Sequence, residues 1–231
     1  MFLSVVIPCL NEEESIPGVI SDTLQVLSLL KANNSIKNSE ILVVNDGSTD
    51  QSVPILRQYA DISILEHNRS LGYGAALKTG IQAAKGDYIA IYDMDNTYPP
   101  SSLPDLLKKI SKDNHFVVGY RNHNNSGMPA IRTLGNTFFK KIISGLYGKS
   151  IKDPCSGMWI FKKSELLKFF NKFPNKLQFT LFLSLYLLKN KINFAEVPIN
   201  YKDRTGISKL SPLKDGLMFL YIIINFRLKS S

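Results

Sequence analysis

The sequence predicts an α/β fold in which a mostly parallel central sheet is flanked by helices. Short β-rich runs alternate with helical patterns through the first 120 residues, as stacked βαβ units require. The run Tyr88-Ile89-Ala90-Ile91 gives way at once to Tyr92-Asp93-Met94-Asp95, two carboxylates at a strand end, which is where open α/β sheets bind ligands. At 231 residues and 44% hydrophobic content the chain suffices for one large core, so a single domain over residues 1–231 is expected.

The elements follow in order. Candidate strands are Leu3 to Ile7, Ile41 to Val44, Ile62 to Leu65, Tyr88 to Ile91 and Phe116 to Gly119. Asn11 with Glu14, and Ser48 with Gln51, resemble capping boxes that open the first two helices. Pro99-Pro100 and Pro104 interrupt the chain after the acidic pair, so a loop bordering the ligand should lead into the next helix. Leu134, Phe138, Ile142 and Leu146 recur every four residues and place an apolar stripe on a helix from about Ile131 to Tyr147. Arg132, Asn136 and Lys140 form another row of that helix. A strand from Asn193 to Tyr201 contains Pro198, which assigns it to a sheet edge. The polar loop Lys202-Asp203-Arg204-Thr205-Gly206-Ile207-Ser208-Lys209 follows. From Ser211-Pro212, a good helix start, an apolar segment runs to the basic Arg227 and Lys229. It is too short to span a bilayer, which takes about 20 apolar residues. Two readings stay open: it lies in the membrane interface with Lys209, Lys214, Arg227 and Lys229 towards headgroups, or it packs on the domain.

Composition narrows the function classes. Cys9 and Cys155 stand far apart and outside metal-ligand spacing, which gives a disulfide framework or zinc site no support and points to a reducing compartment. The apolar start lacks a basic leader and meets Glu12-Glu13-Glu14 at once, so it reads as a strand and not as a secretory signal. The net charge of +9 is unevenly spread. Residues 1–120 hold 9 Lys+Arg against 14 Asp+Glu, net −5, and residues 121–231 hold 19 against 5, net +14. Such asymmetry suits an anionic partner for the second half, whether nucleic acid, membrane or phosphorylated substrate.

Asp93 and Asp95 repel each other unless a cation sits beside them, and a divalent metal carrying a polyphosphate answers that need. The alternative is that both acids solvate a strand end. Asp46, in Asn45-Asp46-Gly47-Ser48-Thr49-Asp50 after the second strand, can accept hydrogen bonds from ribose hydroxyls or a base, or form only an Asx turn. Gly72-Tyr73-Gly74-Ala75-Ala76 leads into a helix whose free N–H groups suit a phosphate. It also partly imitates a dinucleotide-binding fingerprint, but Leu77 stands where the third glycine belongs.

Taken in order, Pro8-x-x-Asn11-Glu12, Asn45-Asp46-Gly47-Ser48-Thr49-Asp50, Gly72-x-Gly74-Ala75-Ala76, Asp93-x-Asp95 and Gly119-Tyr120-Arg121 resemble the family 2 glycosyltransferases. Arg132-x-x-Gly135-Asn136, Asp153-Pro154-Cys155-Ser156-Gly157-Met158, Glu196-Val197-Pro198-Ile199 and Arg204-x-Gly206-x-Ser208-Lys209 are similar to the branch with dolichol-phosphate mannosyltransferase and bacterial polyprenyl-phosphate glycosyltransferases. The resemblance implies the GT-A fold, the fold of nucleotide-diphospho-sugar transferases. It divides the chain into a nucleotide-sugar and metal half (1–120), an acceptor half (121–210) and a C-terminal apolar and basic helix (211–231).

It also implies roles. Pro8, Asn11, Glu12, Asp46 and Gly74 would hold a UDP- or GDP-sugar, and Asp93 and Asp95 would bind Mg²⁺ or Mn²⁺ with the donor diphosphate. Arg121 would lie near the reacting phosphates, Arg132 and Asn136 would hold the acceptor, and Arg204 with Lys209 would close over the site. Three positions depart from the family pattern: Asn45 for a first Asp, Thr97 for a metal-binding Gln of some members, and Trp159 for a common Arg.

In an inverting transfer the metal neutralises charge on the departing diphosphate. A hydroxyl acceptor needs a general base, whereas a lipid phosphate, with a second pKa near ~6, arrives ionised. Only five carboxylates lie in residues 121–231, and the Gln-x-x-Arg-Trp pattern of processive synthases is missing. Both favour a phosphate acceptor. With the resemblance, the expectation is transfer of a hexose to polyprenyl phosphate, with an anionic membrane surface and not nucleic acid as the further partner, at the cytoplasmic face. Asp153, as a base, keeps a carbohydrate hydroxyl open as acceptor. A non-catalytic protein that binds a nucleotide sugar or a membrane is the remaining alternative.

Overall fold

Alternation along the first strand separates the two faces of the sheet. In β1 (Phe2–Cys9), Leu3, Val5 and Ile7 enter one core and Val6 the other, all fully buried, as period two requires of a central strand. A computed structural model describes residues 1–121, 130–202, 204–205 and 212–228, with the side chains of 130–134, 136 and 212–214 outside the description. The further strands are β2 (Asn38–Asn45), β3 (Ser63–Glu66), β4 (Tyr88–Ile91), β5 (Phe116–Arg121), β6 (Trp159–Lys162) and β7 (Ala195–Ile199). They form one sheet in the order β3-β2-β1-β4-β6-β5-β7.

Four of its pairings are parallel, and β6 alone runs antiparallel to both neighbours. The helices are α1 (Ile16–Ala32), α2 (Ser52–Leu56), α3 (Tyr73–Ala83), α4 (Leu103–Leu107), α5 (Ala130–Tyr147), α6 (Lys163–Leu167), α7 (Phe179–Lys189) and α8 (Pro212–Leu228). Side chains of α1, α2 and α4 pack with Leu3, Val5 and Ile7, and those of α3, α5, α6, α7 and α8 with Val6.

The expected strands are all present, and Pro198 lies on β7 at the sheet edge as predicted. The sequence did not mark β6 or α7. β6 has four residues wedged between β4 and β5, and eight of the eleven residues of α7 are buried, so no amphipathic stripe announces it.

The capping boxes do not form, since α1 starts at Ile16 and α2 at Ser52 with no side-chain cap on either. Asn11 instead tethers two strand-end loops. Its backbone is left-handed (φ 49°), its N–H donates to Ser48 Oγ (2.9 Å), and its Oδ1 accepts from the Thr49 N–H (2.8 Å).

On α5 the predicted apolar row does not make the core face: of its members Phe138 and Leu146 turn outward and Ile142 packs at the edge of the core. Ile143 is buried, with Phe139 and Tyr147 packed partly against the core.

Candidate active site

The chain steps outward from β1 to β2 and β3, then returns to place β4 on the other side of β1. That reversal opens a crevice at the carboxyl ends of β1 and β4. Pro8, Cys9 and Glu12 come from one side and Asp93 and Asp95 from the other, and all line a cavity of about 620 Å³. Its lining also includes Asp46, Arg121 and Arg204, and the apolar side chains of Phe139, Leu177, Leu181, Met218 and Phe219.

The cation that the acidic pair requires is supplied by the protein itself. Arg204 donates from one terminal nitrogen to Asp95 Oδ2 (2.8 Å) and from the other to Glu12 Oε1 (2.7 Å). Its Nε is buried without an acceptor among the described residues. Asp95 is 6% exposed, and its Oδ1 accepts from the Thr97 N–H (3.1 Å) and hydroxyl (2.6 Å). Thr97 therefore orients Asp95.

Asp93 accepts from the Tyr73 hydroxyl (2.8 Å). Burial, then the neighbouring Asp95 carboxylate, push Asp93 up to about 7 against the opposing effects of Tyr73 and Arg204. Gly157 stands against it, since a Cβ there would lie 2.8 Å from Asp93 Oδ2. Among the described residues no group of three or more His, Cys, Asp or Glu could hold a metal unaided. Two carboxylates in one cavity wall nevertheless fit Mg²⁺ or Mn²⁺, whose shell is ordinarily completed by substrate phosphates and water.

Asp153, the candidate base, is not placed to act as one. Its side chain is fully buried, and both oxygens hold the Arg121 guanidinium, from Nε at 2.6 Å and a terminal nitrogen at 2.7 Å. The Arg121 N–H adds a third donor at 3.2 Å. Burial opposes the charge on Arg121, but the Asp153 carboxylate outweighs it and raises the guanidinium pKa. Arg121 itself reaches the cavity and lies over the Tyr201 ring, 5.5 Å from its centroid.

Asp46 is 3% exposed and already accepts four hydrogen bonds, from His67 Nδ1, Ser70 Oγ and the N–H groups of Leu71 and Gly72. Burial raises its pKa, but these donors outweigh burial and leave it below the ordinary carboxylate value. Asp46 thus fastens the 67–72 loop to the cavity wall. The turn after β2 is closed by Asn45, whose Oδ1 accepts from the Ser48 N–H (3.0 Å).

The glycine pair serves packing. Gly72 is left-handed (φ 111°) with Asn175 O against it, and a Cβ on Gly74 would meet the Pro174 carbonyl at 2.3 Å. Of the helix-start N–H groups expected to suit a phosphate, that of Ala75 donates instead to the Asn175 carbonyl (2.8 Å).

The cavity therefore gathers Pro8, Glu12, Asp46, Asp93, Asp95, Arg121 and Arg204. Asn11, Gly74 and Asp153 support it from outside the lining. Lys209 lies outside the described residues, and Arg132 and Asn136 sit on α5 with side chains outside the description. Trp159 is fully buried on β6, and its Nε1 donates to Ser156 O (3.0 Å). It belongs to the core and does not face an acceptor.

Sequence reasoning overlooked Tyr73, Tyr98, Tyr201, Lys176 and Asp215, all of which line the cavity. Tyr73 was visible as the residue between the two glycines. Asp215 carried no motif.

The sequence model described as Glycosyl transferase family 2 matches residues 4–170. A dolichyl-phosphate hexose transferase of Haloferax volcanii is 31% identical over 219 residues, covering 93% of this chain and 89% of that protein. A dolichyl-phosphate beta-glucosyltransferase of Trichomonas vaginalis is 28% identical over 250 residues, covering 99% and 75%. Among solved structures, glucosyl-3-phosphoglycerate synthase of Mycobacterium tuberculosis, in complex with Mn²⁺, uridine diphosphate and phosphoglyceric acid, superposes with a TM-score of 0.72. It is 19% identical and covers 99% of this chain and 79% of its own, so the likeness establishes the GT-A architecture. The family match spans most of the strand-end motifs that build the cavity, and on it the chain belongs to glycosyl transferase family 2.

Proposed function

We propose that the chain is an inverting, metal-dependent hexosyltransferase that moves a hexose from a nucleotide-diphosphate sugar to a polyprenyl phosphate at the cytoplasmic face of a membrane. The observation that carries this reading is one cavity lined by the acidic pair, by the Arg121 and Arg204 guanidiniums and by apolar side chains of α5, α7 and α8. The names of the dolichyl-phosphate relatives support it.

Pro8 and Glu12 hold the nucleoside, and Asp46 keeps the loop beside it in shape. Asp93 and Asp95 would hold Mg²⁺ or Mn²⁺. When bound, that ion neutralises charge on the departing diphosphate. Arg204, now bridging Glu12 and Asp95, turns its guanidinium to the phosphates, where its unpartnered Nε gains an oxygen acceptor. Arg121, fixed by Asp153, faces the acceptor phosphate. That phosphate is ionised at neutral pH, so these residues orient and neutralise it and take no proton from it. No helix among the described residues is long and apolar enough to cross a membrane.

One observation favours a second reading, a carbohydrate hydroxyl as acceptor. Asp215, at the start of α8, is a carboxylate in the lining contributed by the second half of the chain, and it replaces Asp153 as the candidate base.

Incubation with Mn²⁺ and a panel of UDP- and GDP-sugars, with and without polyprenyl phosphate, tests both. Glycosylated lipid is expected, lost in Asp95→Ala while its circular dichroism stays that of the parent. Product only with a soluble sugar, lost in Asp215→Asn, overturns the lipid reading. No turnover with any acceptor leaves only the binding role.

A further inference from the structure

We infer that α5 and α8 together form the surface by which this chain docks on an anionic lipid bilayer, with Leu217, Tyr221, Ile224 and Leu228 entering the interface. The inference rests on the lipid-phosphate reading above, because such an acceptor is embedded in a bilayer.

α8 has two apolar faces where packing on the domain requires one. Phe219 and Ile223 are buried in the core. Leu217, Tyr221, Ile224 and Leu228 are 70%, 67%, 41% and 73% exposed. Their spacing of four, three and four residues makes them one stripe along the helix.

α5 continues the surface with Phe138, 52% exposed, and Leu146, 37% exposed. The two helices are joined by Phe139 against Phe219, with ring centroids 6.1 Å apart, and by the Tyr147 hydroxyl donating to Ile223 O (3.1 Å). Arg227 Nε donates to Leu146 O (2.8 Å), which brings the carboxyl ends of the two helices side by side. Apolar area of this kind on a protein surface marks an interaction site.

Charge and position select the occupant. The sequences of the two helices carry Arg132, Lys140, Lys141, Lys214 and Arg227 against Asp215 alone. A second copy of the chain would bring these cations against their own kind, whereas anionic headgroups complement them while the apolar row reaches the acyl boundary. The same helices supply Gly135, Phe139, Asp215, Gly216, Met218 and Phe219 to the cavity wall, so a headgroup lifted from this surface enters beside them and meets Arg121.

The test is flotation of the full chain with phosphatidylcholine vesicles, with and without phosphatidylglycerol. A Tyr221→Glu/Ile224→Glu double variant tests α8 and Phe138→Glu tests α5, each checked by thermal melting. The parent should bind the anionic vesicles, less well as salt rises, and each variant should bind roughly tenfold or more weakly. Both variants should still glycosylate a short, water-soluble prenyl phosphate at the parent rate but lose turnover of vesicle-embedded acceptor. Failure of the parent to bind anionic vesicles, or equal binding by folded variants, overturns the docking surface. A dimer in sedimentation that either variant dissolves overturns it in favour of a second copy. If the parent uses no prenyl phosphate in either form, the acceptor reading fails while flotation still decides docking.

Discussion

In an Asp153→Asn variant the Arg121 guanidinium loses the charge that holds it. The carboxylate accepts from Arg121 at 2.6, 2.7 and 3.2 Å and is fully buried, and the guanidinium side chain is 12% exposed. Breaking a buried ion pair from one side costs about 3–5 kcal/mol, because the partner is left charged and desolvated. That is a large share of the roughly 5–15 kcal/mol by which a domain is stable. For a chain of this length each kcal/mol moves the melting temperature by about 2–4 °C, so a fall of roughly 6–20 °C is expected.

Turnover should fall as well, since Arg121 is no longer aimed, but the shape of the pH–rate profile should persist because no proton acceptor has been removed. An Arg121→Met/Asp153→Leu double variant should recover most of the stability and none of the activity. Calorimetry and turnover measured between pH 5.5 and pH 9, a span of roughly three to four units about the ordinary catalytic range, provide the assay. A melting temperature within about 1 °C of the parent, together with loss of the acidic limb of the profile, would refute the positioning role and restore Asp153 as a base.

Three further outcomes follow from the acidic pair. Asp93 is raised to about 7 from 3.8, so the folded state holds a proton that the unfolded chain has released, and metal-free stability should fall as pH rises through that window. A divalent ion replaces that proton, so Mn²⁺ should raise the melting temperature more at pH 8 than at pH 6, values about one unit either side of the shifted group. Equal increments at both would count against Asp93 as a ligand. Gly157→Ala places a Cβ 2.8 Å from Asp93 Oδ2 and 2.9 Å from the Tyr98 ring, an overpacking worth about 1–3 kcal/mol. It should raise the Mn²⁺ concentration needed for half-maximal transfer, and an unchanged requirement would mean that Asp93 does not touch the ion.

Much of this architecture was legible because its signals are local. β1, β2 and β4 carry runs buried on both faces and end in turn residues, so strands and strand ends could be read from a few neighbouring residues. Pro198 marked an edge strand because a residue without an N–H cannot serve a ladder. The apolar row of α5 was equally visible, but periodicity cannot say which side of a helix meets a core, and here Phe138 and Leu146 face out. β6 escaped because four residues acquire strand geometry only from β4 and β5 on either side. The candidate base was misplaced for a related reason. Burial and partner decide what a carboxylate does, and Asp153 is committed to a residue 32 positions away.

The sequence by itself determined the α/β class, the strand-end carboxylates Asp93 and Asp95, the separation into an acidic and a basic half, and the family resemblance, all written in residue types at short spacing. Only the tertiary structure decided that Arg204 bridges Asp95 and Glu12 across 109 and 192 residues of chain. It likewise decided that Asp46 is saturated by its own loop, that the glycine pair admits the 174–176 segment, and that α8 both packs on the core and presents a second apolar face. Those outcomes depend on which distant groups the fold brings within hydrogen-bonding reach, and local spacing holds no record of that distance.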